Sequence, residues 1–197
     1  MTAGSPSSVP APVAEVADGT GGTGLPASTA GAREPAGATR RRWILFFGLA
    51  VAIPLVDQVV KAWIVGTYDA GLAVPVLGDM VRIWLTHNTG ALFGLFRDQA
   101  PIFALFSLGV IGIIVWYEAH AGRSLVVTMA LGLLLGGALG NLTDRLRLGY
   151  VVDFVDLGIG TWRFYTFNIA DTAISGAVLL LLLVAIVPSL GGAVRDD

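Results

Sequence analysis

Two aspartates of this sequence lie in apolar segments, where an ionised side chain is least favourable. Asp153 lies between a valine and a phenylalanine in an apolar run, and Asp171 lies at the start of a long hydrophobic segment. A carboxylate beside the hydrocarbon of a bilayer is energetically expensive, and such residues usually mark function. Two carboxylates with matched surroundings suggest a pair, and a pair can activate water without a metal.

The composition is that of a membrane protein. The 197 residues are 55% hydrophobic and 13% charged, whereas a soluble domain has about 25% charged residues. The net charge of −2 does not indicate nucleic acid as a partner. The absence of cysteine excludes disulfides and thiolate sites, and two histidines are too few for a multi-histidine metal site. We therefore expect neither a metal nor a cofactor.

The apolar segments that must position the two aspartates predict an α-helical membrane protein. A helix needs about 20 apolar residues to cross the hydrocarbon core. Four segments meet or approach this length, and a small β-rich segment is expected outside the membrane because apolar and polar residues alternate in 74–85. The predicted spans are about 43–65, 101–117, 124–142 and 170–190, within a membrane domain of 40–191.

The charges next to the first span predict the orientation of the chain. Arg40, Arg41 and Arg42 precede this span, which places its start in the cytoplasm. Four crossings then put both termini in the cytoplasm. Residues 1–39, rich in small and polar residues, are expected to be a disordered cytoplasmic tail, and 192–197 a short cytoplasmic one. Residues 118–123 are expected to be a cytoplasmic polar loop, and the mixed segments 66–100 and 144–169 to lie outside.

This topology collects the unexpected polar residues at the outer boundary of the membrane. Four regions of the chain contribute to this layer, and such convergence is typical of an active site. Besides Asp153 and Asp171, it contains Asp57, Gln58, Lys61, Asn88, Asn141, Asp144, Arg145, Asp156 and Asn168.

Several members of the layer also have a structural interpretation. Asp57 and Lys61 have the i, i+4 spacing of an intrahelical ion pair. Asn168 has the position of a helix N-cap, and a carboxylate at Asp171 would be favoured there by the helix dipole. Arg145 is a possible cationic partner for Asp153, and Asp156 is expected to be a solvated loop residue.

Five polar motifs follow one another along the apolar segments of the chain. They are Asp57-Gln58-x-x-Lys61, Asn88-Thr89-Gly90-Ala91-x-Phe93-Gly94, Gly140-Asn141-x-x-Asp144-Arg145, Val151-Val152-Asp153-Phe154 and Phe167-Asn168-x-Ala170-Asp171. Together they resemble the signal peptidase II family, the lipoprotein signal peptidases of bacteria, and the resemblance covers about Trp43 to Pro188.

The resemblance implies an aspartic endopeptidase with Asp153 and Asp171 as its catalytic pair. It implies cleavage before a diacylglyceryl-modified cysteine of a prolipoprotein, and inhibition by the cyclic peptide globomycin. The site would lie on the extracytoplasmic side of the bacterial cytoplasmic membrane. We expect lipidated prolipoproteins and membrane lipids as partners, and a monomer. The positions implied to support the site or hold substrate are Asp57, Lys61, Asn88, Gly90, Asn141, Arg145 and Asn168.

Three other functions fit parts of the sequence. Lys61 is the only lysine, which suits a Ser–Lys hydrolase, but the available serines are predicted within spans or at the cytoplasmic side. Carboxylates and a lysine in the membrane also suit a proton-coupled transporter, although its polar residues should lie at mid-membrane depth. A non-catalytic membrane scaffold would leave the five motifs unexplained.

Overall fold

A computed structural model describes residues 36–89, 100–120 and 124–192 of the chain. All of these residues belong to one compact unit, 34–197. The predicted position Gly90 lies outside the described residues.

In the described part of the chain, four helices are long and apolar enough to cross a membrane, which confirms the predicted fold class. They are α1 (Ala36–Thr67), α2 (Ala100–His120), α3 (Leu125–Leu148) and α4 (Ile169–Ile186). Large apolar side chains such as Phe47, Val51, Leu55 and Val59 recur every four residues on α1 and are exposed. In a bilayer, such a face contacts lipid. The chain is therefore a multi-pass membrane protein.

Helix α3 is the central helix and packs against the other three. In its most apolar stretch 56% of the residues are buried, against 17% in each of the other helices. Close packing depends on its glycines, because a Cβ at Gly137 would lie 2.5 Å from the Ala170 carbonyl oxygen. At Gly140 a Cβ would lie 3.0 Å from Asp57 Oδ2. Small residues thus bring α1 and α4 close to α3 at the level of the polar layer.

The helix ends differ from the predicted ones for local reasons. Helix α1 begins at Ala36, so the last residues of the predicted tail are helical; alanine and arginine favour helix. Helix α3 continues to Leu148 and ends where Gly149 adopts φ +79°, so Asp144 and Arg145 lie within it. Helix α4 ends at Ile186, because Pro188 cannot continue it, and a 3-10 turn follows.

The described residues also form an antiparallel sheet of four strands in sequential order, beside the helix ends. Its strands are β1 (Ala73–Leu77), β2 (Val81–Asn88), β3 (Val151–Ile159) and β4 (Trp162–Arg163). A core of Ile64 from α1, Leu85 from β2, and Val152 and Phe154 from β3 joins the sheet to the bundle. This core fixes the position of the strand that carries Asp153.

The opposite end of the bundle has its own buried polar contacts. Arg42 at the start of α1 forms a 3.2 Å ion pair with Glu118, and Thr128 donates a hydrogen bond to the same carboxylate. The expectation of a polar loop over 118–123 was therefore wrong over 118–120, which belong to α2. Glu118 is buried there because α1 and α3 supply its partners. Residues 121–123 lie outside the described residues.

Candidate active site

Asp153 is a buried carboxylate on β3, held by two side-chain amides. Only 1% of its surface is exposed. Its Oδ1 accepts a 2.7 Å hydrogen bond from Asn168 Nδ2, and its Oδ2 accepts a 3.0 Å bond from Asn88 Nδ2. Asn88 is at the end of β2, where the antiparallel register places it opposite Val151. Sheet pairing therefore brings Asn88, which is distant in sequence, to the carboxylate.

Asp171 lies in the first turn of α4, within a capping box. The Asn168 side chain accepts a hydrogen bond from the Asp171 backbone N–H (2.9 Å), and Asp171 Oδ2 accepts from the Asn168 N–H (3.3 Å). Asn168 is therefore the N-cap of α4, as its spacing predicted. The half-buried Asp171 carboxylate also accepts a 2.7 Å bond at Oδ1 from Asn141 Nδ2.

Asn168 and Asn141 connect the two aspartates. Asn168 is fully buried, and its Nδ2 faces Asp153 Oδ1 at 2.7 Å and Asn141 Oδ1 at 3.1 Å. Asn141 in turn donates to Asp171. One network of neutral amides thus holds the carboxylates of a strand and a helix beside each other.

Lys61 lies behind this network, between two buried carboxylates. Its Nζ is 2.7 Å from Asp57 Oδ2, 2.8 Å from Asp144 Oδ2 and 3.4 Å from Asn141 Oδ1. Asp57 Oδ1 accepts a 3.0 Å bond from the Ala170 N–H at the start of α4. The predicted intrahelical ion pair therefore exists, and the same two residues also orient α4 and Asn141.

Two members of the predicted polar layer, Asp144 and Gln58, contribute to the site although they were not among the positions expected to support it. Asp144 accepts a 3.0 Å hydrogen bond from the Val152 N–H, next to Asp153, and Gln58 Nε2 donates to Asp144 Oδ1 at 2.7 Å. The spacing could have identified Asp144 as a site residue, because it is three residues after Asn141 and lies on the same face of a helix.

Arg145 contacts the back of the site. Its Nη1 donates to the Asn141 carbonyl at 3.4 Å, and its guanidinium carbon is 5.6 Å from the ring centre of Phe103 on α2. Its charge interacts with those of Asp171 and Asp153. The direct partners of Asp153 are thus two amides, while Arg145 acts on the pair through its charge.

Asp156 is not the solvated residue that we expected. It is fully buried, and its Oδ2 is 2.7 Å from Arg82 Nη2 and 2.6 Å from Arg163 Nη2. Burial would raise the pKa of Asp156, but hydrogen bonds from the two arginines hold it below its ordinary value. Asp156 therefore joins β2, β3 and β4 as an ionised structural residue.

The surroundings of Asp153 favour its protonated form. Burial, with the negative charge of Asp171, raises the pKa of Asp153 from 3.8 to about 7, against the opposing hydrogen bonds from Asn88 and Asn168 and the charge of Lys61. A buried acid beside an ionisable carboxylate is the arrangement that shares one proton. The pair can therefore supply an acid and a base at neutral pH.

Comparison with known proteins places this chain in a family. The family model described as signal peptidase (SPase) II matches residues 49–187. A lipoprotein signal peptidase of Caulobacter vibrioides is 41% identical over 155 residues, covering 74% of this chain and 88% of that protein. One of Halalkalibacterium halodurans is 38% identical over 141 residues, covering 71% and 90%.

The fold is similar to that of solved membrane enzymes. A bacterial membrane enzyme solved by the in meso method at 2.3 Å resolution gives a TM-score of 0.69 with 29% sequence identity. The match covers 77% of this chain and 93% of the solved one. The chain therefore belongs to the signal peptidase II family, membrane peptidases that process the signal peptides of lipoproteins.

Proposed function

We propose that this protein is an aspartic endopeptidase that cuts prolipoproteins before their diacylglyceryl-modified cysteine. The observation that carries the proposal is the amide network that holds Asp153 and Asp171 together. In the described part of the chain, no cluster of His, Cys, Asp and Glu is suited to hold a metal. The two carboxylates are therefore the groups we assign to water activation.

The position of the pair suits a lipidated substrate. Asp171 is in the first turn of a membrane-spanning helix, and Asp153 is on a strand that packs on the end of α1. A peptide bond next to a lipidated cysteine lies close to the membrane surface, because the acyl chains stay among lipids. We propose that the scissile bond enters at this level while the acyl chains lie against the helices.

The same proposal assigns the environment of the enzyme. We place the site on the extracytoplasmic side of the bacterial cytoplasmic membrane, with both termini in the cytoplasm, because the arginines at the start of α1 are at the opposite end from Asp57 and Lys61. Lipid-modified prolipoproteins and membrane lipids are its proposed partners, and a single chain supplies the whole pair.

The proposal is tested by removing each carboxylate while preserving its shape. We expect Asp153→Asn and Asp171→Asn each to lower cleavage of a lipidated precursor by at least about 10³-fold, because each variant leaves a single acid–base group. Cleavage is measured as the loss of the precursor band in a gel, with globomycin as the inhibitor.

Asp69→Asn is the matched control, because Asp69 is exposed and lies between α1 and the sheet. It should cleave at the normal rate. Full cleavage by either folded dyad variant would contradict the proposal.

A further inference from the structure

The two aspartates of the proposed pair differ in what surrounds them. Asp153 is on a strand, is 1% exposed and accepts hydrogen bonds only from neutral amides among its described partners. Asp171 is half-buried, and it occupies the first turn of α4, where the positive end of the helix dipole favours a carboxylate. The geometry therefore stabilises negative charge at Asp171 more than at Asp153.

The charges of Lys61 and Arg145 act on both carboxylates, so the difference between the two lies in their direct hydrogen bonds. Lys61 reaches Asp171 through Asn141, whose oxygen is 3.4 Å from Lys61 Nζ and whose nitrogen is 2.7 Å from Asp171 Oδ1. Strand β2 contributes the neutral Asn88 to Asp153. The ionisable groups that face the pair from α1 and α3 are Asp57, Lys61, Asp144 and Arg145.

The orientation of both bridging amides is fixed by hydrogen-bond donors that cannot act as acceptors. Lys61 can only donate, so it holds the oxygen of Asn141 and turns the nitrogen to Asp171. The backbone N–H of Asp171 likewise holds the oxygen of Asn168 and turns its nitrogen to Asp153 Oδ1. Asp171 Oδ1 and Asp153 Oδ1 must therefore both accept hydrogen bonds.

The remaining oxygens are not equivalent. Asp171 Oδ2 accepts from the Asn168 backbone N–H, which cannot become an acceptor. Asp153 Oδ2 accepts a 3.0 Å hydrogen bond from the side-chain amide of Asn88. Both oxygens of Asp171 are thus held by donors of fixed direction, which favours its ionised form.

Resting on the proposed function, we propose that Asp171 is the general base and Asp153 the proton donor, with the shared proton on Asp153. Asp171 takes a proton from water as the water oxygen bonds to the scissile carbonyl carbon, and Asp153 gives its proton to the carbonyl oxygen. The carbon–nitrogen bond then breaks. Asp171 returns its proton to the leaving amine, and the re-forming carboxyl group returns one to Asp153, so the pair ends as it began.

The assignment predicts that two matched substitutions act on opposite limbs of the pH–rate profile. Asn141→Leu removes a donor to Asp171 and Asn88→Leu removes a donor to Asp153, and each loss destabilises the ionised form of its own carboxyl. We expect Asn141→Leu to move the acidic limb of kcat/KM for a lipidated precursor up by about one pH unit. Asn88→Leu should move the alkaline limb up by about as much.

The outcomes separate the assignment of roles from the proposed function. The assignment would be overturned if the two leucine variants moved the opposite limbs of the pH–rate profile, moved both limbs equally or moved neither. The proposed function would stand in each case, provided that Asp153→Asn and Asp171→Asn are inactive. Cleavage by either of these dyad variants would instead overturn the pair itself.

A second measurement applies if the leucine variants do not fold. Infrared titration of carbon-13-labelled aspartate follows the carboxyl that remains in each dyad variant without any need for activity. Asp153, left in Asp171→Asn, should keep its proton to a pH at least one unit higher than Asp171 does in Asp153→Asn. The reverse order, or equal titration, contradicts the assignment.

Discussion

At the scale of single residues, the site contains a carboxyl group that is unfavourable to ionise, because the proposed chemistry needs one. Asp153 is nearly inaccessible, and the pKa of its carboxyl is raised to about 7 by burial and by the charge of Asp171. A residue that is costly to ionise in the folded state lowers the free energy of unfolding at every pH at which it is ionised. Function and stability are therefore expected to oppose each other at this position.

This opposition predicts that Asp153→Asn stabilises the protein at alkaline pH. The folded-state pKa of Asp153 is above its ordinary value of 3.8. The favourable contribution of Asp153 to the free energy of unfolding is therefore complete below about pH 4 and is lost as the pH rises through about 7. Asparagine has no such dependence. We expect the unfolding temperature of the variant to exceed that of the parent by several degrees at pH 8.

The measurement is thermal unfolding in detergent at pH 5 and pH 8. The advantage of Asp153→Asn should shrink at pH 5, where the parent carboxyl is protonated. The exposed Asp69→Asn serves as the control, with no difference between the two pH values. A variant that is equally or less stable at pH 8 would show that burial does not penalise the Asp153 charge.

At the scale of elements, the site depends on how closely α4 approaches α3. Its first turn carries Asp171, and its first residues lie against Gly137 and Gly140 of α3. A displacement of the start of α4 would move Asn168 and Asp171 together, because the capping box joins them. Glycines that carry no reacting group are therefore expected to control activity.

Gly137→Ala should lower both stability and cleavage. Its new methyl group would lie 2.5 Å from the Ala170 carbonyl oxygen and 2.6 Å from Ile174 Cγ1, so α4 must shift away from α3. We expect cleavage to fall at least about 10-fold, since small displacements in a catalytic site are costly. The unfolding temperature should fall by several degrees.

Gly109→Ala on α2 is the matched control, because a Cβ there meets nothing within 4 Å. It should keep its activity, and its better helix propensity should leave stability unchanged or slightly higher. If Gly137→Ala behaves like this control, the close packing of α3 and α4 does not set the geometry of the site.

The sequence predicted the existence of the elements better than their limits and contacts. Four helices follow from apolar length alone, and the N-cap at Asn168 follows from local spacing. The bridge from Asn168 to Asp153 depends on how a strand packs beside a helix, which no local pattern specifies. The buried cluster at Asp156 was missed for the same reason, because Arg82 and Arg163 reach it only after the sheet forms.

At the scale of the whole molecule, the polar network and the sheet lie at one end of the helical bundle. The other end carries the arginines of α1 and the ion pair of Arg42 with Glu118. An asymmetric molecule of this kind has one orientation in a membrane if the arginines stay in the cytoplasm. The proposed extracytoplasmic site follows from this orientation.

The chain is well suited to a test of this orientation, because it has no cysteine. Ala70→Cys, next to the sheet, and Ala119→Cys, at the end of α2, each introduce one exposed thiol at opposite ends of the bundle. A membrane-impermeant maleimide should label the Ala70→Cys variant in intact cells. It should label the Ala119→Cys variant only after permeabilisation, and both variants should still cleave a lipidated precursor. Labelling of Ala119→Cys alone in intact cells would place the site in the cytoplasm, where translocated lipoprotein precursors could not reach it.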